Sequence, residues 1–389
     1  MKVGVVKETF PGERRVALAP NVLSPLSKAG CEIVVESGAG VEAGFPDSAY
    51  TERGVSIAES RQQVFSACDV VLQVRSFGAN LEHGRADLDL MRDGQMVIGM
   101  FEPLTSLDAV RAVSEKGVTL FAMELIPRIT RAQSMDVLSS MATIAGYKAV
   151  LIAADHLPKM FPMMMTAAGT VAPAKVLVIG AGVAGLQAIA SSRRLGAQVY
   201  GYDLRPAVKE QVESLGAKFV EMELEADAAE GKGGYAKEMG EDFYRRQREL
   251  MTRVVAENDV IITTAAVPGK KAPMLITSEM VDGMIPGSVI VDLAAERGGN
   301  CELTRAGEVV RHNGVSIIGP VNLASDVPFH ASQMYAKNIS TLLLLMSKEG
   351  KLEIDMEDQV IAETIVTKGG EICNARILEA LGAGAETSG

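Results

Sequence analysis

Short apolar runs recur along this chain, separated by longer stretches whose apolar positions fall three to four apart. That alternation builds parallel sheets covered by helices. In the first third the strand-like runs are residues 3–6, 32–36, 70–74, 96–99 and 118–121, with helices predicted over 20–29 and 107–116. Pro20 opening the first helix and Gly30 closing it follow the usual asymmetry of helix ends. An Ala- and Met-rich segment, 136–154, has helical periodicity and reads as a connecting helix into a second group of strands at 175–179, 198–202, 218–220, 260–264, 288–292 and 316–318. A later apolar helix over 331–347 is expected to carry the chain back, and residues 360–367 and 371–373 read as a hairpin turning at Lys368-Gly369-Gly370. Two α/β domains follow from the pattern, 1–137 plus 328–389 and 138–327. Only 221–250 breaks the rhythm, acidic and then rich in glycine (Gly231, Gly233, Gly234). An uninterrupted loop of that kind is either functional or a surface insertion.

Composition narrows the partners. The 389 residues exceed one domain of ~150, and 48% hydrophobic residues supply more than one core. A net charge of -11 repels a phosphate backbone, and the densest basic run, Arg245-Arg246-Gln247-Arg248, is flanked by Glu241, Asp242 and Glu249 as on a solvated helix face, so no nucleic-acid partner is expected. Cys31, Cys68, Cys301 and Cys373 form no CxxC pair, which suits a reducing compartment. The N-terminus begins directly as a strand. No apolar stretch reaches the ~20 residues of a span, because 342–346 is short and 141–154 is interrupted by Gly146 and Lys148. A soluble chain without direct membrane insertion is the expectation.

The clearest chemistry lies in Lys175-Val176-Leu177-Val178-Ile179-Gly180-Ala181-Gly182-Val183-Ala184-Gly185, an apolar strand running through GxGxxG into a helix expected over 186–195. Gly180 permits the tight turn, Gly182 lets a pyrophosphate approach the backbone, and Gly185 brings helix and strand together. The helix N-terminus offers free amides and partial positive charge to the phosphates. After the next strand, Asp203 can accept both ribose hydroxyls and repel a 2′-phosphate, favouring NAD(H) over NADP(H). Arg205 argues the other way, since an arginine there can accept a phosphate. The fold class is therefore α/β, two Rossmann-like domains with mostly parallel sheets, separated by a cleft and joined by long helices. Ligands sit at C-terminal strand ends in such sheets. There, Thr264, Ala265 and Pro268, with the segment 292–299, either line the nicotinamide half or form ordinary turns.

Acid/base candidates are few. Of four histidines, His83, His156 and His312 read as loop, helix end and turn, and His330, at the start of the late helix, is the only candidate. No HExxH, paired cysteines or acidic loop suggests a metal. The polar cluster is instead Arg128 through Ser139. If helical from about Ala132, it places Gln133, Asp136 and Ser139 on one face at the interdomain junction. Such groups orient a carboxamide or ribose; a helix cap with a solvated polar face reads equally well.

The run Ala122-Met123-Glu124-Leu125-Ile126-Pro127-Arg128 through Gln133, Asp136 and Ser139 resembles the NAD(H)-binding domain of proton-translocating transhydrogenase alpha subunits. So do Phe161-Pro162-Met163-Met164-Met165-Thr166-Ala167-Ala168-Gly169-Thr170, the glycine fingerprint, and Gly233-Gly234-Tyr235-Ala236-Lys237-Glu238-Met239, which is similar to that family's mobile loop. The resemblance runs from Lys7-Glu8 and Gly12 through Ala17 to Ala336-Lys337-Asn338. It implies direct hydride transfer between NADH held here and NADP(H) held by a partner domain, without proton transfer at the reacting carbons. Gln133 and Asp136 would position the nicotinamide, with Arg128 and Ser139 beside them, Gly182, Val183 and Asp203 on the adenosine side, and Tyr235 as the lid. It further implies a homodimer docked, through NADP(H)-binding and membrane-spanning subunits that carry the proton path, on the cytoplasmic face of the inner membrane. Alanine dehydrogenase shares the architecture and holds its substrate with an arginine, a lysine, a histidine and an aspartate. This sequence keeps Arg15, but has Arg75 for the lysine, Met100-Phe101-Glu102 in the histidine region and Glu296 near the aspartate. An amino-acid dehydrogenase and a non-catalytic NAD-sensing module are the competing readings.

Overall fold

Strands buried on both faces read as continuous apolar runs, and the valine-rich segments do form them. A computed structural model of the chain describes residues 1–221, 241–266 and 271–386. The chain divides into two compact units, Met1–Met141 with Ala324–Gly389, and Ala142–Leu323.

In the first unit, β1 (Lys2–Val5), β2 (Glu32–Glu36), β3 (Ser56–Ala58), β4 (Val70–Arg75), β5 (Met96–Met100) and β6 (Thr119–Ala122) pair in parallel in the order β6-β5-β4-β1-β2-β3. Each strand feeds alternate residues to two cores. Val70, Leu72 and Val74 enter one and Val71 the other, the period of two that a pleated strand imposes. The hairpin Ile365–Lys368/Glu371–Ile372 extends the sheet antiparallel beyond β6. The helix Pro328–Leu345 buries Tyr335, Ala336, Ile339, Leu342 and Leu343 against the first core, and the Tyr335 hydroxyl donates to the Gln73 carbonyl at 2.7 Å.

Here the expected hairpin shortens. Residues 360–364 belong to a helix, Gln359–Thr364, because the Asp358 carboxylate caps it by accepting from the Val360 amide at 2.8 Å. The helix buries Val360, Ile361 and Thr364, a helical rather than a strand spacing.

Helix α1 (Val137–His156) leaves the first unit after Met141 and continues without interruption through Gly146 and Lys148, where the sequence pattern suggests a break. Among the described residues it alone has the length and apolar composition of a membrane span. Ala149, Val150 and Ala153, however, are fully buried in the core of the second unit. Gly146 is the point of closest approach: a Cβ there would overlap the Ala184 carbonyl oxygen.

The second unit holds β7 (Lys175–Ile179), β8 (Gln198–Tyr202), β9 (Lys218–Phe219), β10 (Val260–Thr263), β11 (Val289–Asp292), β12 (Val309–His312) and β13 (Val315–Ile318), in the order β9-β8-β7-β10-β11-β13-β12. All pairings are parallel except that of β12 with β13. The strand order reverses at β7, between β8 and β10, and that reversal is the crevice where open α/β sheets bind ligands. Helix α2 (Val183–Arg194) follows β7, beginning within the glycine motif and three residues before the expected start. A two-stranded hairpin, Met164–Thr166/Gly169–Val171, precedes β7 with all six residues exposed. The segment expected as one loop over 221–250 contains the start of the helix Glu241–Ala256, on which Arg245 and Arg248 are exposed. Tyr235 and Pro268 lie outside the described residues.

Candidate functional site

The turn after β7 is shaped by three backbone distances. Gly180 adopts φ +96, and a Cβ on it would come within 2.6 Å of the Thr264 hydroxyl. That hydroxyl donates to the Gly180 carbonyl at 3.0 Å, tying the β10 end to the turn. Gly185 has no room at all, since a Cβ would overlap the Gly180 carbonyl oxygen. Gly182 is the opposite case. It is the N-cap of α2, with φ -78 and ψ -168, and a Cβ would meet nothing within 4 Å. A dinucleotide pyrophosphate fits this arrangement: the backbone is bare at Gly182, Val183 opens the helix, and the amides of the first turn point outward unpaired.

Asp203 follows β8 and turns its carboxylate back to this turn. Its Oδ2 accepts from the Ala181 amide at 2.7 Å and from Arg205 Nη2 at 2.9 Å. Its Oδ1 accepts from the Arg205 amide and Arg205 Nε, each at 2.9 Å. Burial alone would raise the Asp203 pKa, but the hydrogen bonds from Arg205 and Ala181 hold it below the usual carboxylate range. The carboxylate is therefore ionised and fixed beside Gly182. Gly180, Gly182, Val183, Gly185, Asp203, Thr264 and Ala265 thus come together in the second unit.

Two residues that sequence reasoning left without a role hold the neighbouring loop. Asp292 ends β11 fully buried. Its Oδ1 accepts from the Thr263 hydroxyl at 2.9 Å and the Ala294 amide at 3.0 Å, and its Oδ2 from Asn300 N, Cys301 N and the Thr304 hydroxyl at 2.7, 3.0 and 2.7 Å. Asn300, also fully buried, then clamps the loop after β10. Its Oδ1 accepts from Ala265 N at 3.1 Å, and its Nδ2 donates to the Ala265 and Pro273 carbonyls at 2.8 and 2.9 Å. An aspartate closing an otherwise apolar strand was the available signal, because a buried carboxylate needs several donors. Asp292 is accordingly part of the loop's scaffold.

The polar cluster of the first unit differs from its expected form. Thr130–Met135 is a 3-10 helix, and Asp136 leaves it with an extended backbone (φ -72, ψ 94), so Gln133, Asp136 and Ser139 do not share one continuous α-helical face. Asp136 caps α1: its Oδ1 accepts from the Ser139 amide at 2.9 Å and its Oδ2 from the Ser139 hydroxyl at 2.6 Å. Gln133 and Arg128 are exposed, while Arg131 pairs with Asp358 at 2.8 Å. His330 is exposed, its ring edge-on to Phe329 at 5.2 Å.

Also in the first unit, Arg15 and Glu13 form a buried pair at 2.6 Å, and Arg75 lies 3.4 Å from the same carboxylate. Burial would raise the Glu13 pKa; Arg15 and Arg75 bring it down to about 2. Glu8, which accepts from the Val74 and Arg75 amides, is pushed up to about 7 by desolvation and by the neighbouring Glu13 charge.

Known proteins share both halves of this architecture. Residues 4–145 match the family described as alanine dehydrogenase/PNT, N-terminal domain, and residues 149–375 match alanine dehydrogenase/PNT, C-terminal domain. The chain is 48% identical over 375 residues to the first of the split NAD(P) transhydrogenase alpha subunits of Rhodospirillum rubrum, covering 96% of this chain and 97% of that one. It is 42% identical over 379 residues to the Rickettsia prowazekii protein of the same name, covering 97% and 98%. Alanine dehydrogenase of Bacillus subtilis is 27% identical over 98% of this chain and 95% of its own length. Among solved structures, the transhydrogenase from Sinorhizobium meliloti superposes with a TM-score of 0.83 at 43% identity, covering 96% of this chain and 99% of that one. An L-alanine dehydrogenase at 24% identity shares the fold with a TM-score of 0.82. With both domains matched and nearly half its residues identical to a transhydrogenase alpha subunit, the chain belongs to the alanine dehydrogenase/PNT family, among its nicotinamide-nucleotide-binding transhydrogenase alpha subunits.

Proposed function

We propose that this chain is the NAD(H)-holding component of a proton-translocating transhydrogenase, passing hydride between NADH and NADP+ bound on a partner domain. The observation that carries the reading is the ionised Asp203 fixed beside the open backbone of Gly182. That pair accepts a ribose diol and a pyrophosphate and disfavours a 2′-phosphate. Bound NADH supplies a hydride from nicotinamide C4. Gly180, Gly182, Val183 and Gly185 seat the pyrophosphate at the start of α2, Asp203 holds the adenosine ribose, and the loop at Thr264 and Ala265 bounds the nicotinamide side. In the first unit, Gln133 orients the carboxamide, with Arg128 beside it and Asp136 steadied by Ser139. Tyr235 and Pro268 complete the set as lid and loop residue. Hydride moves from carbon to carbon, so positioning replaces a general acid or base.

The alpha-subunit names of the relatives support a complex in which other subunits carry NADP(H) and the membrane spans. This component would then act as a homodimer, active only with its partner, on the cytoplasmic face of the inner membrane. The test is NADH oxidation by an NADP+ analogue, with and without a separately expressed NADP(H)-binding domain. Turnover is expected only with the partner. Gln133→Ala is expected to slow hydride transfer more than it weakens NADH binding, and equal losses would assign Gln133 to ground-state binding alone. Retention of Arg15 favours one second reading, an alanine dehydrogenase-type enzyme; reduction of pyruvate with ammonia by the isolated chain would establish it.

A further inference from the structure

We propose that Arg205 is a latch on the sugar site: its guanidinium fills the two acceptor positions on Asp203 that a ribose diol requires, and so sets both NADH affinity and discrimination against NADPH. This rests on the reading of the second unit as an NAD(H) site.

A carboxylate offers two oxygens with about four acceptor positions. On Asp203, backbone amides take one position on each oxygen, Arg205 N on Oδ1 and Ala181 N on Oδ2. The Arg205 side chain takes a second on each, through Nε and Nη2. A vicinal diol brings two hydroxyl donors, one for each of the positions the guanidinium holds. The Asp203 side chain is only 7% exposed and that of Arg205 17%, so a sugar cannot be added beside the fork and must replace it. The two amides belong to the turns after β7 and β8 and stay in place. The guanidinium sits on a flexible stem and can leave.

Displacement has a consequence for charge. The cation remains tethered at the sugar edge, where it offsets the repulsion between Asp203 and a 2′-phosphate. A chain lacking it would present a bare carboxylate. Removing the guanidinium should therefore strengthen NADH binding, because no ion pair has to be broken, and should penalise NADPH.

The experiment titrates NADH and NADPH against the full chain in the wild type, Arg205→Leu, Arg205→Gln, Arg205→Lys and Asp203→Ala, with thermal unfolding of each as the check on folding. Arg205→Leu and Arg205→Gln are expected to tighten NADH on the order of fivefold and to widen the NADPH-to-NADH ratio of dissociation constants on the order of tenfold. Arg205→Lys keeps the charge without the planar fork, and should tighten NADH while leaving the ratio near the wild-type value. Looser NADH binding in folded Arg205→Leu or Arg205→Gln, or an unchanged ratio, overturns the latch. Should only one of these two variants fold, its ratio decides. The outcome for Asp203→Ala separates the two levels of the argument. If it erases the preference for NADH while the Arg205 variants change nothing, the latch alone fails. If the preference survives Asp203→Ala, the sugar-site assignment fails and the latch with it.

Discussion

Gly182 and Gly185 stand three residues apart, and replacing each with alanine should damage different properties. At Gly182 the backbone is extended (φ -78, ψ -168), a conformation open to any residue, and the new Cβ would meet nothing within 4 Å. Alanine is a poorer N-cap than glycine by up to ~1 kcal/mol, and loses ~0.4–1 kcal/mol less chain entropy on folding. The two nearly cancel, so Gly182→Ala should unfold within ~1 kcal/mol of wild type. Its methyl nevertheless stands where a phosphate must approach the helix amides. A hydrogen bond to a charged group contributes ~1.5–3 kcal/mol, so losing even one weakens NADH by ~10- to 150-fold. Gly185→Ala reverses the pattern. Its Cβ would overlap the Gly180 carbonyl oxygen, a backbone atom that cannot rotate away, so α2 must move off β7 at a cost of ~1–3 kcal/mol or more. NADH fluorescence titration and urea unfolding on both variants provide the assay. Wild-type NADH affinity in a folded Gly182→Ala would refute the placement of the pyrophosphate. Wild-type stability in Gly185→Ala would refute the helix–strand contact.

Three further outcomes follow from buried groups. Asp292→Ala strands the Thr263 and Thr304 hydroxyls and three backbone amides, and should cost at least ~3 kcal/mol in urea unfolding; a loss below ~1 kcal/mol would show that the knot is dispensable. Glu13→Gln leaves the Arg15 charge buried beside a neutral partner and should destabilise the first unit by ~3–5 kcal/mol. Because the folded pKa of Glu13, about 2, lies below the ordinary 4.5, its contribution is complete above pH 4.5 and is lost as pH falls toward 2. The variant should therefore lack that part of the wild type's acid sensitivity. Glu8 has the opposite sign. With a folded pKa of about 7 it holds its proton in the native state, so stability falls as pH rises from 4.5 to 7 and is level above that. Glu8→Gln should reduce this slope, and an unchanged slope in chemical denaturation across that range would count against the assignment.

Legibility in the sequence tracks how local each cause is. Parallel strands covered on both faces announce themselves as apolar runs, and β7, β8 and β2 have the ends that the pattern predicts. Edge strands do not: β12 alternates exposed with half-buried residues, and β3 has three residues, one of them buried. The β-branched run from Val360 reads as strand when composition is weighed without its cap, and the single hydrogen bond from Val360 to Asp358 reverses the assignment. Asp136 shows a related ambiguity. An aspartate three residues before a serine fits one face of a helix, and it equally fits an N-cap receiving that serine's amide; the structure takes the second.

At the nucleotide turn, what the sequence conveyed was the glycines, and what it withheld was their anchors. Each glycine answers to a backbone distance within a few residues, so its meaning is local. The atoms that would face a dinucleotide are mostly backbone, and each is held by a side chain from a distant segment: the Gly180 carbonyl by Thr264, the Ala181 amide by Asp203, and both polar groups of Ala265 by Asn300. Those partners lie 84, 22 and 35 residues from what they hold, separations that no spacing rule reaches. Arg205 shows the limit from the other side. It sits two residues from Asp203 and is plainly visible in the sequence, yet the direction of its side chain decides whether it serves a phosphate or closes on the neighbouring carboxylate. That choice is made by the turn after β8, where the Arg205 amide and guanidinium converge on one oxygen. The specificity of the sugar site is thus a matter of backbone direction at a single residue, with the charge pattern alone compatible with either nucleotide.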